Sequence, residues 1–166
     1  MKLKKTKNYK IDMNKIELIV YDFDGVMTDN KVVVDENGKE SVIVNRADGL
    51  AIAQLKEKGI KQIIISTETN RVVKERAKKI KIDCLYGIEN KKKTLEKYLK
   101  ENKIEKSKVI YIGNDINDLE AMRFVGIKIA PADAADDIKE IATYITKRKG
   151  GEGVVREIFE ILKLTY

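Results

Sequence analysis

Five short apolar runs rich in Ile, Val and Leu recur along the chain, at Glu17 to Tyr21, Gln62 to Ile65, Ile82 to Leu85, Val109 to Ile112 and Ile127 to Ile129. Between most of them lie segments with helical spacing: Leu50 to Lys58 closed by Gly59, Asn70 to Lys79, Lys92 to Glu101, and Asp118 to Val125 closed by Gly126. A strand reads as a continuous apolar run only when both of its faces are covered, so the alternation predicts an α/β fold: a three-layer, Rossmann-like parallel sheet with helices on both faces. With 166 residues the chain is expected to be a single domain with one core, residues 1–14 forming a basic and flexible N-terminal extension.

Two segments depart from the alternation. KVVVDENGKESVIV carries Val-rich runs on either side of Glu36-Asn37-Gly38, which predicts a β-hairpin flap after the first strand. GGEGVVREIFEILKL is a glycine-rich loop leading into a helix whose Val155, Ile158, Phe159 and Leu162 share one face. For Gly150, Gly151 and Gly153 two readings stand: a turn before that helix, or a close backbone approach to phosphate or substrate at its N-terminus.

Composition excludes more than it assigns. The chain has no histidine and a single cysteine, so Ser-His-Asp and Cys-His catalysis, His-bearing zinc sites and cysteine clusters are all removed. Cys84, in the apolar context KIDCLY, reads as a small buried side chain. The net charge of +7 comes from lysines interleaved with glutamates on helical faces, which reads as solvated surface with a field favouring an anionic substrate. No nucleic-acid motif accompanies it, and nucleic-acid binding is not expected. No apolar stretch approaches a membrane span and the basic N-terminus has no apolar region behind it, so a cytoplasmic protein without a membrane partner is expected.

In an open parallel sheet, ligands bind beyond the carboxyl ends of the strands. The first run ends in Asp22 and Asp24, and the second in Ser66, Thr67 and Glu68; Asn90 and Lys91 follow the third, and Asn114, Asp115 and Asp118 follow the fourth. Carboxylates gathered at one edge are costly unless a hard dication balances them, and Mg²⁺ takes such oxygen ligands. Asp22 could then attack a phosphorus atom and form an aspartyl phosphate, with Asp24 protonating the leaving oxygen and later activating water. Ser66, with Thr67 beside it, and Lys91 would hold the phosphoryl oxygens.

The segment DFDGVMTD resembles the first motif of the haloacid dehalogenase superfamily of phosphatases, DxDGxxTD, and Ser66, Lys91 and GNDIND follow in the order of its other three motifs. NRADGLAI, STETNRVVKERAKKIKI, GIENK and GGEGVVRE are similar to the capless subfamily of 3-deoxy-D-manno-octulosonate 8-phosphate phosphatase, nonulosonate 9-phosphate phosphatases and domains associated with acylneuraminate cytidylyltransferases. The resemblance runs from about Lys15 to Leu162. It implies that Asp22 is the nucleophile and Asp24 the general acid/base, with Asp24 also giving its backbone carbonyl to Mg²⁺. Asn114 falls where many relatives carry a metal-binding aspartate, so weaker Mg²⁺ binding is expected unless Asp115 compensates; Asp118 would orient metal-bound water. It also implies a homotetramer in which a neighbouring subunit closes each site, with Arg46, Glu68, Arg71 and Arg156 as candidates for binding an acidic sugar phosphate. The expected activity is hydrolysis of the terminal phosphate of a 3-deoxy-2-ulosonate, an octulosonate 8-phosphate or a nonulosonate 9-phosphate. The alternative is a catalytically weak oligomerisation domain, for which Asn114 is the best support.

Overall fold

The computed structural model describes residues 11–163, the side chain of Lys163 excepted. Six strands form one parallel sheet: β1 (Leu18–Tyr21), β4 (Lys61–Ile65), β5 (Asp83–Leu85), β6 (Val109–Ile112), β7 (Ile127–Ala130) and β8 (Tyr144–Ile145), in the order β5-β4-β1-β6-β7-β8. Between β1 and α1 (Arg46–Glu57) lies an antiparallel hairpin of β2 (Val33–Val34) and β3 (Glu40–Ser41). The remaining helices are α2 (Val72–Ile80), α3 (Lys91–Asn102), α4 (Leu119–Phe124), α5 (Asp136–Ile141) and α6 (Val154–Lys163).

Successive strand residues point to opposite faces, and the core divides accordingly. Ile19 and Tyr21 of β1, with Ile110 and Ile112 of β6, pack under Ile52 and Leu55 of α1, Val73 and Ala77 of α2, and Val155, Ile158 and Phe159 of α6. Leu18 and Val20, with Val109 and Tyr111, pack under Leu95 and Leu99 of α3, Ala121 and Met122 of α4, and Ile138 of α5. The chain winds outward from β1 through β4 to β5, then crosses to β6 on the other side. The crevice where the winding direction reverses therefore lies between the carboxyl ends of β1 and β6.

The predicted elements and their order are present, with differences that have local causes. Helix α1 begins at Arg46, four residues before the periodic apolar face, because the Asn45 side chain accepts from the Ala47 N–H and caps it. The hairpin ladder is only two residues long on each side, and Asp35 Oδ1 accepts from the N–H groups of Asn37 and Lys39 to close its turn. Strand β8 and helix α5 carry too few residues to announce themselves by periodicity. Residues 1–10 of the expected extension lie outside the described residues, but Ile11 and Met13 belong to the core and Asp12 caps a short 3₁₀ turn behind them. Among the described residues no helix is long and apolar enough to cross a membrane.

Asp48, in the first turn of α1, ties that helix to α6. It is 1% exposed, its Oδ1 accepts from the Arg156 N–H at 3.0 Å, and its Oδ2 has no hydrogen-bond partner among the described residues. Burial pushes its carboxyl up from 3.8 to about 6, opposed by the Arg156 N–H and the nearby Arg76 and Arg148. The folded chain thus holds this proton more tightly than the unfolded one. The resulting stabilisation is complete below about pH 4, declines as pH rises toward about 6 and is absent above it, a span of at most about 3 kcal/mol. Chemical denaturation from pH 4 to 7 is expected to show a shallower decline in Asp48→Asn than in the parent chain; identical slopes would mean that Asp48 does not hold the proton.

Candidate active site

Asp22 follows β1 directly, and its backbone N–H bonds to Ile112 O of β6 at 2.9 Å, which pins the residue in the crevice between the two strands. Its side chain is buried and accepts from the Phe23 N–H at 2.8 Å. The Asn90 side chain accepts from the Lys93 N–H and opens α3, so Lys91 is that helix's first residue and turns inward rather than to solvent like Lys92. Lys91 Nζ lies 2.7 Å from Asp22 Oδ1 and 2.7 Å from Asp118 Oδ1. Asp118 is itself held on all sides: Oδ1 also accepts from the Tyr111 hydroxyl at 2.9 Å, and Oδ2 accepts from the N–H of Asn114 at 3.0 Å and of Asp115 at 3.4 Å.

The electrostatics follow from this packing. Burial and the Asp118 charge raise the Asp22 carboxyl, while Lys91 and the Phe23 N–H pull it down. Burial alone would lower the Lys91 ammonium, yet the two carboxylates outweigh it and keep it charged. Burial raises the Asp24 carboxyl, opposed by the hydrogen bond from Thr28, and so favours a group that can carry a proton. Tyr111 is driven well above the ordinary range by burial and by Asp118 and Asp22, so its hydroxyl keeps its proton and donates a hydrogen bond to Asp118.

Over this cluster opens a cavity of about 370 Å³ lined by Asp22, Asp24, Ser66, Glu68, Asn114 and Asn117, among others. Thr67, Asp115, Asn30, Val32 and Ile116 complete its wall. Ser66 is buried at the end of β4, where its hydroxyl oxygen accepts from the Glu68 N–H and its own proton is free to donate to a ligand. Thr67 is exposed and accepts from the Asn117 amide at 3.3 Å across the rim. Glu68 reaches the cavity wall, but its Oε1 is engaged by the N–H groups of Thr69 and Asn70.

Among the described residues no three Asp, Glu or Cys side chains gather as a metal cluster. The oxygen donors that do converge are mixed: Asp22 Oδ2, the Asp24 backbone carbonyl and the Asn114 side chain, which lies 3.0 Å from the first and 2.9 Å from the second. Carboxylate, carbonyl and amide oxygen are hard donors, and a site that leaves its other positions to water and phosphate suits Mg²⁺. Asp115 is turned to its own 3₁₀ turn, where Oδ1 accepts from the Ile116 N–H at 2.7 Å.

The predicted residues Asp22, Asp24, Ser66, Thr67, Glu68, Lys91, Asn114, Asp115 and Asp118 thus come together at one end of the sheet. Arg46, Arg71 and Arg156 do not line the cavity of their own chain: Arg46 is exposed on α1, Arg71 pairs with Glu75 at 3.8 Å, and Arg156 pairs with Glu160 at 2.8 Å. Tyr111 does more than fill the core: its ring packs there while its hydroxyl donates to Asp118. Cys84 is half-buried rather than buried, and burial pushes its thiol up to about 11, which leaves it unreactive.

The glycine-rich loop is a turn before α6, closed by the Glu152 N–H on Lys149 O, and it is packed tightly against its neighbours. Gly150 and Gly151 press against backbone, where an added Cβ would fall 2.2 Å from Gly25 O and 2.6 Å from the Asp29 N. Gly151 N–H also donates to Val26 O, and Asp133 Oδ1 accepts from the Gly150 N–H at 2.9 Å. The loop is therefore a support for the segment carrying Asp24 and Thr28, and its close backbone approach is to protein.

A family model described as haloacid dehalogenase-like hydrolase matches residues 86–158. The 3-deoxy-D-manno-octulosonate 8-phosphate phosphatase of Escherichia coli is 33% identical over 150 residues, covering 90% of this chain and 80% of that relative. The crystal structure of the phosphatase of the same name from Moraxella catarrhalis, in complex with magnesium ion, phosphate ion and KDO, superposes with a TM-score of 0.87 at 34% identity, covering 91% of this chain and 88% of that one. A chain from Streptomyces avermitilis described as a HAD family hydrolase superposes with a TM-score of 0.91 at 41% identity, covering 93% and 89%.

Replacing Gly150 with Ala puts a methyl group into the Gly25 carbonyl and must move one of the two loops. Gly150→Ala is expected to lower stability by about 1–3 kcal/mol and kcat at least tenfold. Denaturant titration and steady-state kinetics check this, and an unchanged kcat would show that the loop does not position the catalytic segment.

Proposed function

Since the chain belongs to the haloacid dehalogenase-like hydrolases, in the family of 3-deoxy-D-manno-octulosonate 8-phosphate phosphatase, we propose that it releases the terminal phosphate of that acidic sugar phosphate. The enzyme is a Mg²⁺-dependent phosphoric monoester hydrolase. The observation that carries the assignment of roles is the buried triad in which Lys91 bonds to both Asp22 and Asp118 beneath the cavity. A quiet oligomerisation domain is not favoured, because such a module has no use for a buried lysine between two carboxylates.

An Asp22 oxygen attacks phosphorus, the bond from phosphorus to the sugar oxygen breaks, and Asp24 delivers its proton to that leaving oxygen. Asp24, now a carboxylate, removes a proton from water as it attacks the aspartyl phosphate, which frees phosphate and restores Asp22. Ser66, Thr67 and Lys91 donate to the phosphoryl oxygens. Asp22, the Asp24 carbonyl and Asn114 would hold Mg²⁺, whose charge would offset that of the transferring phosphoryl group. Asp118 stands behind these ligands, fixing Lys91 and the loop that carries Asn114, while Asp115 lies on the cavity wall.

The same reading includes self-association into a homotetramer, with a second copy closing the cavity. It is supported by Val32, Val33 and Val34 on the hairpin, exposed at 49%, 63% and 57%, and by Ile43 at 73%, an apolar surface that is uncovered among the described residues. Arg46, Arg71 and Arg156, outside their own cavity, would then bind a substrate carboxylate or hydroxyl across the interface or at its rim.

Phosphate release from a panel including 3-deoxy-D-manno-octulosonate 8-phosphate, nonulosonate 9-phosphates and an aryl phosphate tests the reading. Turnover selective for the octulosonate, dependent on Mg²⁺ and at least about a thousandfold lower in Asp22→Asn, is expected. Preference for a nonulosonate would move the substrate within the class, and unaltered turnover in Asp22→Asn would sink the nucleophile. Light scattering should give a tetramer that Val33→Lys breaks down, with sugar phosphate turnover lost before aryl phosphate turnover; a monomeric parent chain would refute the shared lid.

A further inference from the structure

The Asn114 amide presents two atoms of nearly equal size and opposite hydrogen-bonding sense to the same pair of oxygens. With its nitrogen turned inward it donates to Asp22 Oδ2 at 3.0 Å and to the Asp24 carbonyl at 2.9 Å, and every group is satisfied without a cation. With its oxygen turned inward, three acceptors face one another with no proton between them, an arrangement that only a cation balances. An aspartate in this place would have the second arrangement alone.

The spacing bears on both arrangements. Oxygens on adjacent vertices of a Mg²⁺ octahedron, each about 2.0–2.1 Å from the ion, stand about 2.9 Å apart. The two contacts of Asn114 have that length already. Gly25 holds the amide in place: a Cβ there would lie 2.0 Å from whichever amide atom is turned outward, the nitrogen when the oxygen faces the site, so the absence of a side chain lets the amide sit flush on the loop. Half a turn about the bond to the amide carbon exchanges oxygen for nitrogen and leaves the occupied volume unchanged.

We propose that Asn114 is a built-in substitute for the metal: its NH₂ group bridges Asp22 and the Asp24 carbonyl in the metal-free enzyme, and the amide turns over to present its oxygen when Mg²⁺ enters. This rests on reading the site as a Mg²⁺ site. The device keeps the donors at metal-binding spacing when no ion is bound and spares the buried Asp22 and Asp118 a third facing carboxylate. Its consequence is that Mg²⁺ must displace two hydrogen bonds, so affinity is lower than the donor set alone would give.

The test uses the full chain labelled with ¹⁵N, with the Asn114 side-chain NH₂ signal assigned by its absence from the spectrum of Asn114→Asp. In chelator, that signal should exchange slowly with water; on titration with Mg²⁺ it should shift and become rapidly exchanging, in step with binding followed by calorimetry. A signal that keeps its position and protection while calorimetry shows Mg²⁺ bound would overturn the substitute, leaving the phosphatase reading intact. Absence of Mg²⁺ binding by calorimetry would overturn the phosphatase reading and the inference with it. Asn114→Asp should bind Mg²⁺ at least tenfold more tightly and melt lower than the parent chain in chelator, with the gap narrowing in Mg²⁺. Equal melting in chelator would count against the bridge.

Discussion

Lys91 Nζ, 2.7 Å from Asp22 Oδ1 and 2.7 Å from Asp118 Oδ1, joins the end of β1, the start of α3 and the turn after β6 through one buried ammonium group. Each carboxylate would be costly in this interior if left alone, and each acquires its partner only when the three elements have met. The packing of the sheet and the chemistry of its carboxyl edge are thus one arrangement. Removing Lys91 would leave two buried negative charges facing each other, whereas removing either aspartate would leave a simple ion pair.

Around this triad, backbone does much of the positioning. The Asp22 N–H on Ile112 O sets β1 against β6, and the N–H groups of Asn114 and Asp115 on Asp118 Oδ2 fold the turn that offers Asn114 to the crevice. From the other side the Gly150–Gly151 backbone lies against Gly25 and Asp29. Its helix is tethered in turn by Asp48 on the Arg156 N–H and by Glu157, which accepts from the N–H groups of Lys147 and Arg148 and from the Tyr144 hydroxyl. The catalytic segment, near the start of the chain, is held between two supports from its second half, the turn after β6 and the loop before α6.

What one chain leaves open is the mouth of the cavity. Asn30, Val32, Ile116 and Asn117 line it, and the Asn117 amide donates to Thr67 across the rim. Among the described residues the short hairpin is tied to the β4–α2 loop by the Asn70 amide on Glu40, and Val32, Val33 and Val34 face outward. The groups proposed to hold a phosphoryl oxygen lie within this chain, and the proposed second copy would meet the remainder of the substrate at this open mouth.

The sequence by itself determined the parallel α/β sheet, since runs buried on both faces must be apolar throughout and the helices between them must carry one apolar stripe. It also determined Asp22, Asp24, Ser66, Lys91, Asn114 and Asp118 as a group, because strand ends in such a sheet share one edge whatever the loops do. Short elements such as α5 and β8 were not legible, having fewer than two full periods of pattern to display. Only the tertiary structure decided that Tyr111 serves Asp118, that Asp48 anchors α6, that the glycines support a loop, and that the three arginines stand outside their own cavity. The physical reason is common to all four: each role depends on which distant backbone or side chain lies within about 3 Å, and hydrogen bonds act over that range alone. Burial and periodicity act over whole elements, and so they leave their mark in the order of the residues.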